Sequence, residues 1–420
     1  MSIVLRNSAV GLGVEWRALE FAGCAVALFL YSGALFPLLL ASPDGSVDSV
    51  RSVLRALQVP AYAITLALMA PHLDAVLKVL RRNLVLSALL LMPLVSSVWS
   101  VSGSVTLRRA VGLLMSVLLA YLLAARFTPR LLLLLLVSVL GFCMVGSLAM
   151  LVLSPRLALM PDVPELRGIF THKNVLGWYA AAATIMNVAL LADRSLGRRR
   201  LGLALLVASL ACLLMSQSGT SLFILLMAGP ACAAFLAFAQ VAGLKRLLLV
   251  VAVAELFAIF LVFAVPASVF VLESVGKDAT LTGRIPLWEE VDAMIAQRPV
   301  LGWGYEAFWS EANPAAWSIW ASVGWNAPHA HNGFRDTLLG LGLVGFVLLV
   351  CVILRGLRHG TALLSRPGGS DWLWANVFVS TFVLLNLTES TFLSSNDFFF
   401  VVYTTCLLMF STHAAALRRA

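Results

Sequence analysis

Polar side chains gather beside long apolar stretches at three places in this chain: residues 167–174, the pair Gly283-Arg284, and His329-Ala330-His331-Asn332. Each suits a particular chemistry. Arginine offers a planar fork of donors matched to phosphate oxygens, and lysine adds a point charge. Arg167, His172, Lys173 and Asn174 therefore read as an anion site for a phosphate or diphosphate, aided by the amides that open the following helix. The same loop also reads as an interfacial segment whose cations touch lipid headgroups. Arg284 is a second candidate phosphate ligand, since two arginines from separate loops can clamp a diphosphate. As a plain surface residue it would pair with Glu289 or Asp292.

An imidazole is the side chain best suited to proton transfer near neutral pH, and His329 or His331 can accept a proton from a sugar hydroxyl or orient one. Two histidines two residues apart also suggest a metal, but no nearby carboxylate or cysteine completes a recognisable ligand set. With Asn332 they give a third reading, a polar helix cap. Trp288, Trp303, Trp309, Trp317, Trp320 and Trp325 all fall within 60 residues of one another, out of eleven tryptophans in the chain. Their rings can stack on sugars or sit at a membrane interface; Trp303, with Tyr305 beside it, is the candidate for substrate contact. Glu389 is either a base or sugar ligand, or a loop charge facing water near Asp397. Glu255 lies inside an apolar run, where a carboxylate is a functional candidate by default, but no partner for it is evident.

These residues must be positioned by helices in a bilayer. Of the 420 residues 61% are hydrophobic and only 12% charged, more apolar surface than a soluble chain of this length can hide. Apolar runs of ~20 residues match a hydrocarbon core of ~30 Å. Strand alternation is absent, so helices must satisfy the backbone in lipid. The fold class is all-α, a polytopic integral membrane protein forming a single domain over 1–420. The net charge of +9 is spread in short clusters between apolar runs, which argues against nucleic acid as a partner. All six cysteines lie in apolar stretches, without disulfide or zinc spacing.

About twelve spans are expected, near 18–40, 56–71, 84–99, 110–126, 131–153, 174–192, 201–216, 219–242, 247–272, 333–354, 372–388 and 398–416. The first run is too long for a signal-peptide core and reads as a retained span. Lysines and arginines concentrate on one side, at Arg6, Arg17, Lys78, Arg81, Arg82, Arg126, Arg130, Arg194, Arg198 to Arg200, Lys245, Arg246, Arg355, Arg358, Arg366, Arg418 and Arg419. The positive-inside rule then puts both termini in the cytoplasm. The outer side receives the loops 154–173 and 388–397, the turn Ser216 to Ser221, and a long loop at 273–332 between spans nine and ten. Ile285, Trp288, Val291 and Ile295 recur at helical spacing there and predict a helix lying on the membrane surface.

Together these segments resemble the O-antigen ligase and polymerase superfamily of bacterial envelope glycosyltransferases, in the branch associated with exopolysaccharide production. The resemblance rests on Trp99-Ser100 with Arg108-Arg109, residues 167–174, Ser216 to Thr220, Thr282-Gly283-Arg284 with Trp288, Pro299 to Tyr305, and His329 to Asn332 followed by Gly340 to Gly345. It implies an inner-membrane enzyme with a periplasmic site. Such an enzyme passes a glycan from an undecaprenyl-diphosphate carrier to a glycan or lipid acceptor, inverting the anomeric centre without a metal or other cofactor. It implies catalytic roles for Arg167, Arg284 and His331, and polysaccharide assembly and export proteins as possible partners. His172 and Lys173 are more basic than the family's first motif often is. A solute transporter and a non-catalytic assembly subunit are the alternatives; transporters place their polar breaks at the bilayer midplane, whereas here polarity collects at one face.

Overall fold

Leucine-rich runs punctuated by proline and glycine set the helix boundaries. Pro129 at the first turn and the Thr128 hydroxyl, which accepts from the Leu131 N–H at 3.3 Å, open one such helix. It continues for 25 residues and closes before Pro155. The computed structural model of the chain describes residues 14–34, 57–161, 163–241, 243, 245, 249 and 284–417. Its elements are α1 (Val14–Tyr31), α2 (Val59–Arg82), α3 (Leu84–Val95), α4 (Gly103–Arg126), α5 (Pro129–Leu153), α6 (Lys173–Ala192), α7 (Arg199–Ser216) and α8 (Gly219–Gln240). Then follow α9 (Arg284–Gln297), α10 (Pro314–Val323), α11 (Gly333–Leu364), α12 (Leu373–Leu385) and α13 (Phe398–Leu417).

Among the described residues, 8 helices are long and apolar enough to cross a membrane: α2, α4, α5, α6, α7, α8, α11 and α13. Three other expected spans are helical but fall short of that mark. The helix α1 carries Glu15, Arg17 and Glu20, and α3 gives way to a tight turn at Ser96–Val98. The helix α12 has only 13 residues, about 20 Å of rise against the ~30 Å a bilayer core needs. Span nine with Glu255, the loop stretch 273–283 with Thr282 and Gly283, and most of the first span beyond Ala34 lie outside the described residues. The second span does not end near 71. It runs on as an amphipathic helix to Arg82, burying Val76 and Val79.

Helices α5, α7 and α8 surround α6, while α13 packs on α4 and α11. The charged residues at one end of this bundle are tied in pairs. Arg126 grips Glu20 through two bonds of 2.8 and 3.1 Å, and Arg130 reaches both Asp193 and Asp371. The other end is built differently. Two irregular segments, 299–305 and 386–397, enter it, and their backbone is satisfied by protein, as a water-poor setting demands. Asn386, fully buried, accepts from the Thr391 and Phe392 N–H groups and donates to Phe382 O and Thr391 Oγ1. Tyr62 donates to Asn396 Oδ1 at 2.6 Å.

The expected surface helix exists as α9 but does not lie apart from the protein. It buries Leu287 and Val291 in a second small core with Trp303, Phe308, Ile319, Trp320 and Leu339. Five of the six clustered indoles donate inside this unit: Trp288 to Ala330 O, Trp303 to Met294 O, Trp309 to Asp336 Oδ1, Trp317 to Glu311 O and Trp320 to Ala327 O. Their polar edges thus hold a folded cap together, which the interfacial reading of these tryptophans did not anticipate.

Candidate active site

The start of α11 organises the constellation. Asn332 is its N-cap, its Oδ1 accepting from the Phe334 and Arg335 N–H groups at 3.1 and 3.0 Å. Its amide donates to Leu387 O and its backbone N–H to Ser390 Oγ, which fastens the helix start to the 386–397 segment. Gly333 N–H is shared between Asn386 O and Glu389 O, both at 2.9 Å. A Cβ on Gly333 would lie 2.2 Å from Asn386 Oδ1, so only glycine allows this approach.

These ties bring Glu389 under the histidines. It is buried, 4% exposed, and is not a loop charge in water. Its Oε1 accepts from Arg284 NH2 at 3.0 Å, and its Oε2 lies 3.4 Å from His331 Nδ1. Arg284 therefore pairs with a carboxylate 105 residues away rather than with Glu289 or Asp292; Asp292 is held by Arg335 at 2.8 and 2.9 Å. His331 adopts φ +50, a left-handed backbone disfavoured for a side chain of its size. Its N–H donates to His329 Nδ1, the two rings lie 4.1 Å apart, and the Trp325 ring sits 5.8 Å from His331. Burial and the neighbouring His331 push the His329 pKa down, with Asp336 and Glu389 opposing. With Glu389 accepting at Nδ1, the other ring nitrogen of His331 is left as an acceptor.

Asp336, one turn into α11, fixes the turn above it. It accepts from the Ala330 N–H at 2.9 Å, from Trp309 Nε1 at 3.0 Å and from the Ser390 hydroxyl. The sequence reading placed this residue inside a span and gave it no role, although an acid within the first turn of a helix is a local signal that could have marked it.

The 157–174 loop lies to one side. Gly168, at φ +59, lets the chain pass Ser147, and Arg167 Nε donates to Leu157 O at 3.1 Å. Lys173 is paired with Glu165 at 2.6 Å, an acid only eight residues upstream that sequence reasoning missed. His172 caps α6 by accepting from the Asn174 N–H at 3.2 Å. Burial is the main influence lowering the His172 pKa, followed by Lys173; Glu389 is among the charges that raise it, which places this loop within electrostatic reach of the His331 cluster. Ser218 and Ser221 hydrogen-bond each other at 2.7 Å beneath α6, where Gly177 leaves them room.

The structure thus assembles Arg284, His329, His331, Asn332 and Glu389, while Arg167, His172, Lys173 and Asn174 stand in a separate loop. Trp303 and Tyr305, expected to contact substrate, are buried instead. Trp303 N–H donates to Leu339 O and Tyr305 N–H to Ser96 Oγ, so both serve to seat the cap on the bundle. Among the described residues no group of three or more His, Cys, Asp or Glu side chains is arranged to hold a metal ion.

Residues 204–350 match the family model described as O-antigen ligase. Over 196 residues the chain is 33% identical to the exopolysaccharide production protein ExoQ of Rhizobium meliloti (strain 1021). That match covers 44% of this chain and 44% of that protein, so the likeness spans less than half the length of the relative. The region matched by the family model contains Arg284, His329, His331 and Asn332 and stops short of Glu389.

Proposed function

We propose that the chain is a membrane glycosyltransferase drawing its glycan from an undecaprenyl-diphosphate carrier, a reading supported by its likeness to the O-antigen ligase family model and to an exopolysaccharide production protein. The observation that carries this reading is the Arg284–Glu389–His331 constellation. A cation, a buried carboxylate and an imidazole meet there at one end of a helical bundle. In the proposed step the acceptor hydroxyl oxygen forms a bond to the anomeric carbon as the bond from that carbon to the diphosphate oxygen breaks. The diphosphate leaves with the electron pair, and the hydroxyl proton passes to His331. Glu389 holds the imidazole in the accepting tautomer and stabilises the imidazolium that results.

Diphosphate needs no proton to depart, so charge stabilisation by cations is the larger requirement. Arg284 supplies it, with Arg167 and Lys173 approaching from the neighbouring loop. Attack opposite the leaving group inverts the anomeric centre and calls for no metal. In this reading the chain crosses the inner membrane twelve times with both termini cytoplasmic, and the 273–332 loop caps a periplasmic site. The crowding of arginines at the opposite end of the bundle supports that orientation. The acceptor is taken to be a second carrier-linked glycan, as the likeness to the exopolysaccharide production protein of Rhizobium meliloti favours.

Reconstituted protein supplied with a diphosphate-linked oligosaccharide carrier tests the proposal. Wild type should yield longer carrier-linked chains, and His331→Ala, folded and still binding the carrier, should yield none. Transfer to a different lipid or protein acceptor would make the enzyme a ligase. Solute uptake into vesicles without any transfer would replace the enzyme reading with transport.

A further inference from the structure

We infer that Trp309, Glu306 and Arg109 form the seat of the acceptor sugar, linked to the histidine turn through Asp336; this rests on the transferase reading above. Sugars are recognised by an aromatic face under the ring and by planar charged groups that each engage hydroxyls. This group offers both. The half-buried Trp309 indole is aimed by its Nε1–H bond to Asp336 and braced edge-on by Phe308, 5.1 Å away. Glu306 and Arg109 stand 3.4 Å apart with side chains 32% and 38% exposed, so the pair is open enough to be approached.

The backbone holds Glu306 in a costly place. Its φ of +50 is one that a glutamate rarely adopts. Arg109 NH1 donates to its carbonyl at 2.8 Å, Thr106 donates to Tyr305 O at 2.9 Å, and Val101 N–H donates to Trp303 O at 3.0 Å. Strain over-determined by its surroundings marks a residue kept for its position.

Charge separates the two sides of the site. Arg284 suits the diphosphate of the donor. Around Trp309 the acids Glu306 and Asp336 outnumber Arg109, which suits neutral hydroxyls and repels phosphate. Asp336 joins the two sides physically, touching Trp309, the Ala330 N–H before His331, and Ser390 beside Glu389. An acceptor ring over Trp309 is thereby aligned with the histidine turn.

The test uses the full chain in nanodiscs and the repeat-unit oligosaccharide released from its carrier, which lacks diphosphate and so probes the acceptor side alone. Glu306→Gln and Trp309→Phe should weaken its binding, by about tenfold or more for the charged contact. Both should raise the acceptor KM, and Glu306→Gln, which leaves the hydrogen bonds to Asp336 in place, should keep kcat and the affinity for the carrier-linked donor near wild type. Wild-type oligosaccharide affinity in both variants would overturn the assignment, as would equal losses of donor and acceptor binding in both. If wild type binds the oligosaccharide but extends no chain, the transferase reading fails on its own. If wild type extends chains and neither variant alters the acceptor KM, only the acceptor seat fails.

Discussion

Replacing Glu389 by glutamine isolates what this carboxylate contributes. Glu389 accepts from Arg284 at 3.0 Å and faces His331 Nδ1 at 3.4 Å, with the two partner side chains only 17% and 21% exposed. Glutamine keeps the shape but has one carbonyl oxygen, so its NH2 must face one of two groups that are themselves donors. Losing a charged hydrogen bond costs about 1.5–3 kcal/mol. That lies below the ~3–5 kcal/mol of breaking a fully buried pair, because water still reaches Arg284 and His331. The Glu389→Gln variant should therefore fold with a lowered unfolding temperature. Its turnover should fall about a hundredfold or more, roughly 3 kcal/mol of transition-state stabilisation, because the imidazole loses both its tautomer and its counter-charge. Donor binding should move the other way. Arg284, no longer neutralised, should hold the diphosphate as tightly as in wild type or more so. The assay pairs single-turnover chain extension with carrier binding in the same nanodiscs. A folded variant with wild-type turnover would remove Glu389 from the chemistry, and one that loses donor binding would make it a diphosphate-site residue instead.

Gly302 stands at φ +69 with the position of an added Cβ 2.7 Å from the backbone of Leu339, Gly340 and Gly342. Gly302→Ala should lower the thermal unfolding temperature well beyond the ~1–2 kcal/mol of left-handed strain alone, whereas Gly197→Ala, at φ +63 with open space around it, should show only that strain. Asp397 accepts from the Phe400 N–H at 2.7 Å at the start of α13, and burial pushes its pKa up to about 7. The folded state thus binds this proton more tightly than the unfolded chain, so wild-type stability falls as pH rises from about 4 to 7 and levels above that. Asp397→Asn should cancel this loss, matching wild type at pH 4 and exceeding it at pH 8 by at most about 4 kcal/mol, less whatever solvent screening removes; equal unfolding curves at both pH values would refute the burial account.

The helices were legible because apolar length is a local property: α4, α5, α6, α7, α8, α11 and α13 all begin within a few residues of a Pro, Gly or polar cap, or close where the apolar run stops. The partners were not. Arg284 had Glu289 and Asp292 within reach along its own helix, and nothing in the order of residues shows that α9 turns this arginine toward Glu389. Glu389 read as exposed because it follows a polar Asn-Leu-Thr stretch; its burial depends on α12 ending early and on Asn386 folding the chain back over itself. The tryptophans misled for a related reason. A ring suited to a membrane interface is equally suited to a small core with one buried donor, and only the cap's tertiary packing decides between them.

The geometry of the candidate site accordingly depends less on the spans than on the seam between cap and bundle. Arg284 sits on α9, which packs on α11 and α10, so its distance from His331 is set by how the cap docks. That docking is backbone on backbone. Trp303 and Gly304 donate to Leu339 O and Gly340 O at 2.8 and 2.9 Å, and Leu343 donates to Pro299 O at 2.8 Å. Those bonds are possible because α11 breaks its helical path at Gly342, with φ +63 and ψ −164, and because Gly302 has no side chain to hold the two segments apart, while Gly304 lets the same turn pass close to Ser100. The seam ends at Tyr305 and Glu306 on one side and runs through Asp336 to His331 on the other. Both left-handed residues of the site, Glu306 and His331, therefore hang from the same junction. A change that loosens the seam should separate cation, imidazole and acceptor seat together, without disturbing a single membrane-spanning helix.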